Sequence, residues 1–128
     1  PMVAAMNVLN YDCGTLGNHE FNYGLDFLAA SLQTARFPVV CANVVKADGT
    51  PLVPPTRVIE REMTDESGAR HVVRVGVIGF VPPQIVQWDK GHLEGKVRAL
   101  DIVEAAERHV PELRKSCDVL VALSHSGI

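Results

Sequence analysis

GNHEFNYGLDFLAASLQTARFPVVCAN, residues Gly17 to Asn43, joins a polar loop to a helix and the helix to a strand. Leu25, Leu28, Leu32 and Ala35 recur at helical spacing and predict a helix from about Gly24 to Thr34. Pro38 ends it and opens Val39-Val40-Cys41-Ala42, a compact apolar run of the form taken by a strand buried on both faces, with Asn43 at its C-terminal end. A helix feeding a buried strand is a unit of layered α/β folds, where ligands gather at the carboxyl ends of strands.

The chain on either side continues the alternation. Upstream, Val3, Met6 and Leu9 predict a short helix within Pro1 to Tyr11, which runs into a loop at Asp12-Cys13-Gly14-Thr15. Downstream, Lys46 to Pro55 has the composition of a surface loop. Arg57–Glu62 and His71–Val75 flank Thr64-Asp65-Glu66-Ser67-Gly68 as the arms of a hairpin. The second arm runs on through Gly76-Val77-Ile78-Gly79-Phe80, whose glycines point to close backbone or ligand approach, and Pro82-Pro83 closes it. Gln84 to Gly95 reads as irregular, and Val97 to Leu100 as a short strand.

Asp101 with Glu104 forms a capping-box pattern ahead of a helix carrying Ile102, Ala105, Ala106, Val110 and Leu113 on its apolar face, which Pro111 is expected to kink or break. Asp118 to Leu123 reads as a buried strand ending in Ser124-His125-Ser126-Gly127. The whole predicts an α/β fold with a mixed sheet.

Composition narrows the function classes. The 128 residues amount to about one small domain, and 47% hydrophobic content is globular. Twelve basic and fifteen acidic residues give a net charge of −3, with no basic cluster or arginine–aromatic interleaving, so polymeric nucleic acid is not an expected partner. No apolar run approaches the roughly 18 residues of a membrane span, and no membrane partner is expected. No charged-then-apolar leader is present, but the start at Pro1-Met2-Val3 reads as internal. Cys13, Cys41 and Cys117 are odd in number and lack a CxxC or zinc-like spacing, which favours small buried thiols over a disulfide framework or a reactive nucleophile.

Chemistry concentrates at Gly17-Asn18-His19-Glu20 and at His125. An Asn carbonyl oxygen is a neutral hard ligand for a divalent cation, and a histidine beside it exchanges protons near neutral pH. The bland alternatives are a turn with Asn18 left-handed and His19 exposed, and, for His125, an ordinary capping residue after a strand. A specified four-residue string arises by chance in a chain of this size about once in a thousand cases, which favours the chemical reading of the first cluster.

With these residues in view, GNHEFNYGLDFL resembles the Asn-His block of calcineurin-like metallophosphoesterases of the 5′-nucleotidase branch. Asn43, the run Gly76 to Gln84, Trp88-Asp89-Lys90 and the run Leu120 to Gly127 extend the likeness over nearly all 128 residues. The resemblance implies a four-layer α/β/β/α sandwich and a two-metal site using Mn, Zn, Co or Mg. It implies hydrolysis of phosphate esters of nucleosides, 2′,3′-cyclic nucleotides and 3′-nucleotides, in the periplasm.

Position by position it implies Asn18 and His125 as metal ligands and His19 as the unligated catalytic histidine. Glu20, Asn43 and Asp26 match no ligand role and are expected to be structural or supporting, with Glu20 suited to fixing the His19 ring. Two cations about 3.5–4 Å apart lower the pKa of a bridging water and polarise the phosphoryl oxygens.

The family's Asp-x-His, Gly-Asp and late Gly-His blocks do not occur in residues 1–128, so the chain is expected to be a middle part of the catalytic domain, inactive by itself. Missing core strands would leave apolar sheet edges open to self-association. Alternatives are a 5′-nucleotidase, UDP-sugar hydrolase or sulfur-ester hydrolase of the same superfamily, and a non-catalytic binding module on the same scaffold. If the family fold is kept, the side chains of Asn18 and His125 should converge.

Overall fold

The structure, a computed structural model, describes residues 2–126. Pro1, and with it the start of the first predicted helix, lies outside the described residues, as do Gly127 of the C-terminal block and Ile128. The elements in chain order are α1 (Met2–Val8), β1 (Gly14–Thr15), a 3₁₀ turn (Asn18–Phe21), α2 (Gly24–Gln33), β2 (Val39–Val40) and β3 (Val44–Lys46). There follow β4 (Thr56–Thr64), β5 (Arg70–Phe80), α3 (Ile85–Trp88), α4 (Lys90–Leu93), β6 (Val97–Ala99), α5 (Ile102–Lys115) and β7 (Val119–Ser124). The expected α/β class holds.

The strands form three small sheets. β4 and β5 are the predicted hairpin, paired antiparallel from Thr56↔Ile78 to Thr64↔Arg70, and β7 adds parallel to β5 from Val75↔Val119 to Phe80↔Ser124. β1 pairs parallel with β2, and β3 antiparallel with β6. Arg74 pins the start of β7, its guanidinium Nη2 donating to Asp118 Oδ1 at 3.1 Å and its backbone N–H to Oδ2 at 2.8 Å. Those hydrogen bonds hold the Asp118 carboxyl below the usual carboxylate range.

One apolar cluster lies between β5 and α5, with Ile78, Phe80, Ala105, Leu113 and Cys117 buried. A second gathers Leu16, Phe21, Leu28, Val81, Ile85 and Leu93 beneath the Asn18–Phe21 turn. Asn43, just before β3, is wholly buried. Its Oδ1 accepts from Val81 N–H at 3.0 Å, and its Nδ2 donates to Val81 O at 2.8 Å and Leu100 O at 3.2 Å. An apolar side chain there would strand buried backbone groups.

Several expectations are corrected. Residues 84–95 are not irregular but contain the single-turn helices α3 and α4, anchored by the buried Ile85 and Leu93. The strand expected over Pro38–Ala42 is confined to Val39–Val40, because Cys41 and Ala42 bond instead to Pro54 O and Gly79 O. The loop expected from Lys46 begins inside β3.

Pro111 does not break α5. The helix is continuous, because the freed Glu107 carbonyl lies on its exposed side while Ala105 and Leu113 stay buried on the other. Asp101 caps α5 through Val103 and Glu104 N–H as expected, without the reciprocal bond from the Glu104 side chain among the described residues. β7 is not a buried strand. It is the sheet's edge, with Val119 49% and Val121 36% exposed, because α5 covers only the opposite face.

Gly79 decides how these pieces meet. A Cβ there would collide with Thr15 Oγ1 and with the Val40 carbonyl oxygen, so the β1–β2 pair crosses β5 at backbone contact. Thr15 Oγ1 donates to Val40 O at 2.9 Å, and Ala42 N–H donates to Gly79 O at 2.7 Å. Gly79→Val is therefore expected to destabilise the protein by about 3 kcal/mol, since neither backbone can retreat without giving up a hydrogen bond. A urea midpoint unchanged from that of the unsubstituted protein would show that the crossing tolerates a side chain.

Candidate active site

The crossing at Gly79 brings the loop after β1 against the end of β7. His125 N–H donates to Phe80 O at 3.0 Å, extending the parallel ladder by one step and placing the imidazole at the carboxyl end of β5. From the other side, Gly17 is buried under that ring: a Cβ on Gly17 would lie 3.2 Å from His125 Nε2 and Cδ2. Asn18 follows at once, and its Oδ1 is 2.9 Å from His125 Nε2 across 107 residues of sequence. The expected convergence of these two side chains is present.

As drawn by this geometry the contact is a hydrogen bond, Nε2–H donating to Oδ1. With Nε2 deprotonated, the same atoms are an amide oxygen and an imidazole nitrogen facing one point, a donor pair suited to a divalent cation. Such a pair would supply two of the several donors a metal site needs. Among the described residues no group of three His, Cys, Asp or Glu side chains is placed to hold a metal ion, so the pair fits such a site without completing it.

His19 is exposed on the same turn, and Asn18 lies in 3₁₀ rather than left-handed conformation. The His19 ring does not meet Glu20, contrary to the sequence expectation. Glu20 Oε2 instead accepts Gly17 N–H at 2.7 Å, one half of a capping box whose other half a glycine cannot supply. That bond fixes the backbone from which Asn18 and His19 project. The partner of His19 is Asn22, with Nδ1 to Oδ1 at 2.8 Å, and Asn22 Nδ2 in turn donates to Asp89 Oδ1 at 3.0 Å.

Neither Asn22 nor Asp89 was singled out by sequence reasoning. Asn22 stands three residues from His19, the spacing of one turn, which is a local signal. Asp89 stands 67 residues from Asn22 and appeared in sequence only within the Trp88-Asp89-Lys90 block of the resemblance, with no role attached. Asn43 and Asp26 stay apart from this cluster, the first in the core and the second in the first turn of α2.

Gly24 opens α2 at φ +81°, a conformation that favours glycine, with the His92 ring packed over it. A groove of about 450 Å³ between α1 and α2 has His19 and Glu20 on its rim and Met6, Tyr23, Phe27 and Phe37 among its walls. Cys41 and Cys117 are buried as expected, and burial raises the Cys41 pKa to about 11, whereas Cys13, in the loop before β1, is only half-buried.

This fold is that of the calcineurin-like phosphoesterases, and the chain belongs with them: over its full length it superposes on calcineurin-like phosphoesterase YfkN from Bacillus subtilis with a TM-score of 0.96 at 50% identity, covering 39% of that chain. In sequence it is 50% identical to the 2′,3′-cyclic-nucleotide 2′-phosphodiesterase/3′-nucleotidase of Haemophilus influenzae, matching 99% of this chain and 20% of that protein. It is also 50% identical to the trifunctional nucleotide phosphoesterase protein YfkN of Bacillus subtilis, over 100% of this chain and 9% of that protein.

A putative 5′-nucleotidase from Staphylococcus aureus superposes with a TM-score of 0.82 at 30% identity, over 100% of this chain and 23% of that one. No protein-family model matches the chain. The chain thus spans a fifth or less of the length of the first two relatives.

Proposed function

We propose that residues 1–128 are part of the catalytic domain of a longer nucleotide phosphoesterase that hydrolyses 2′,3′-cyclic nucleotides and 3′-nucleotides in the periplasm. The observation that carries this is the meeting of Asn18 Oδ1 and His125 Nε2 at 2.9 Å, from opposite ends of the chain. Identity of 50% to a cyclic-nucleotide phosphodiesterase/3′-nucleotidase, against 28% to the 5′-nucleotidase of Vibrio cholerae, favours the first substrate class over the second.

In this reading Asn18 and His125 supply two of the protein donors for a two-cation centre using Mn, Zn, Co or Mg. Bound divalent cations lower the pKa of a coordinated water and polarise a phosphoryl oxygen. The chain's own part is positional and protonic. The Glu20–Gly17 bond and the Gly17 contact with His125 set the donor pair at one point, which lowers the reorganisation needed at reaction. His19 exchanges a proton at Nε2, the ring nitrogen with no hydrogen-bond partner among the described residues, where charge develops on the phosphate ester. Glu20 and Asn43 hold backbone and do not touch substrate.

The full-length protein carrying this segment should hydrolyse 2′,3′-cyclic AMP with Mn²⁺ and lose turnover on chelation, while residues 1–128 alone, with two donors, should show none. Chelator-resistant turnover, or metal-dependent turnover by the 128 residues that His19→Ala abolishes, would overturn the reading.

A further inference from the structure

We propose that Asp89, acting through the side-chain amide of Asn22, dictates which ring nitrogen of His19 carries the fixed proton, making Asp89 and Asn22 positioning residues for His19. The proposal rests on the reading of His19 as the reacting histidine.

An ionised carboxylate only accepts hydrogen bonds. Asp89 Oδ1, 3.0 Å from Asn22 Nδ2, therefore requires the amide NH₂ to face it, which turns Asn22 Oδ1 toward His19. At 2.8 Å that oxygen can only accept a hydrogen bond, so Nδ1 must carry the proton, and Nε2 is left as the unprotonated nitrogen of the neutral ring. Without Asp89 the amide can turn over and offer its NH₂ to Nδ1, which selects the opposite tautomer. The carboxylate removes that ambiguity.

Two further observations show that Asp89 is aimed at this task. It occupies the N-cap position of α4, where an aspartate ordinarily accepts from the first-turn N–H groups, yet its side chain makes no cap bond. Its backbone is also tied on both sides, Asp89 N–H donating to Ile85 O and Asp89 O accepting from His92 N–H, each at 2.9 Å, with Ile85 and Leu93 fully buried beside it. Asn22 is fixed in turn, its backbone N–H donating to His19 O at 3.3 Å.

The test is steady-state kinetics on the full-length protein with 2′,3′-cyclic AMP and Mn²⁺, comparing Asp89→Leu, Asn22→Asp, the two combined, and His19→Ala. Asp89→Leu keeps side-chain size and removes the acceptor. It is expected to lower kcat roughly tenfold with KM within about twofold, the lower end of losses seen when the partner of an active-site histidine is removed. In the Asn22→Asp background a carboxylate accepts from Nδ1 without needing to be oriented, so Asp89→Leu should cost nothing further. An equal loss from Asp89→Leu in both backgrounds would mark a merely structural role and overturn the proposal. An unchanged kcat in Asp89→Leu, beside a large loss in His19→Ala, would overturn it while leaving His19 in place. Full kcat in His19→Ala would overturn the reading of His19, and this proposal with it.

Discussion

Replacing His19 by alanine in the full-length protein is expected to lower kcat on 2′,3′-cyclic AMP by about 100-fold or more, with thermal stability unchanged. The size follows from what proton transfer by a positioned side chain contributes, roughly 10²- to 10⁴-fold. The lack of a stability effect follows from exposure: the ring lies at the surface and its one side-chain hydrogen bond among the described residues, to Asn22, is exposed as well. Phe21, two residues on, is fully buried and carries the packing of the turn. His19 is thus free of structural duty, and a kcat reduced less than tenfold would remove it from the reaction.

The same division explains what could be read from the sequence. Long elements with regular periodicity were legible: α2, the β4–β5 hairpin, and α5 with its Asp101 cap all lie where their spacing places them. One-turn helices such as α3 and α4 are too short for a 3.6-residue period to show, so residues 84–95 looked irregular. β3 spans three residues and finds its partner, β6, about fifty residues downstream, so no local pattern marks it. β7 is as apolar as a central strand, and composition does not tell whether a strand has neighbours on both sides. Pro111 was read by its local cost, which the packing of α5 on β5 outweighed.

At the site, the motif Gly17-Asn18-His19-Glu20 was visible as chemistry, and the resemblance paired it with His125. The roles within it were less visible. Glu20 adjoins His19 in sequence, but in a 3₁₀ turn neighbouring side chains diverge, and the residue one turn on, Asn22, takes the ring. Gly79 was read as a place of close approach, and it is, with Thr15 and Val40 filling the space of its missing side chain. That contact carries Asn18 to His125, and it depends on three segments that sequence alone does not bring together.

If a cation is held between Asn18 and His125, loss of both donors should have the second large effect. Asn18→Ala with His125→Ala removes the amide oxygen and the imidazole nitrogen that face one another at 2.9 Å, leaving that edge of the site without ligands. The expected drop in metal affinity is about 100-fold or more, exceeding the 10- to 100-fold typical when only an outer partner of a ligand is lost. Both side chains are at least partly exposed, so the fold should persist. The direct measurement is the metal content per polypeptide of the purified full-length protein, with and without the paired substitution, after dialysis against metal-free buffer. Bound divalent metal is expected in the unsubstituted protein, with a loss of at least one equivalent in the variant. Equal metal content in the two would contradict that expectation.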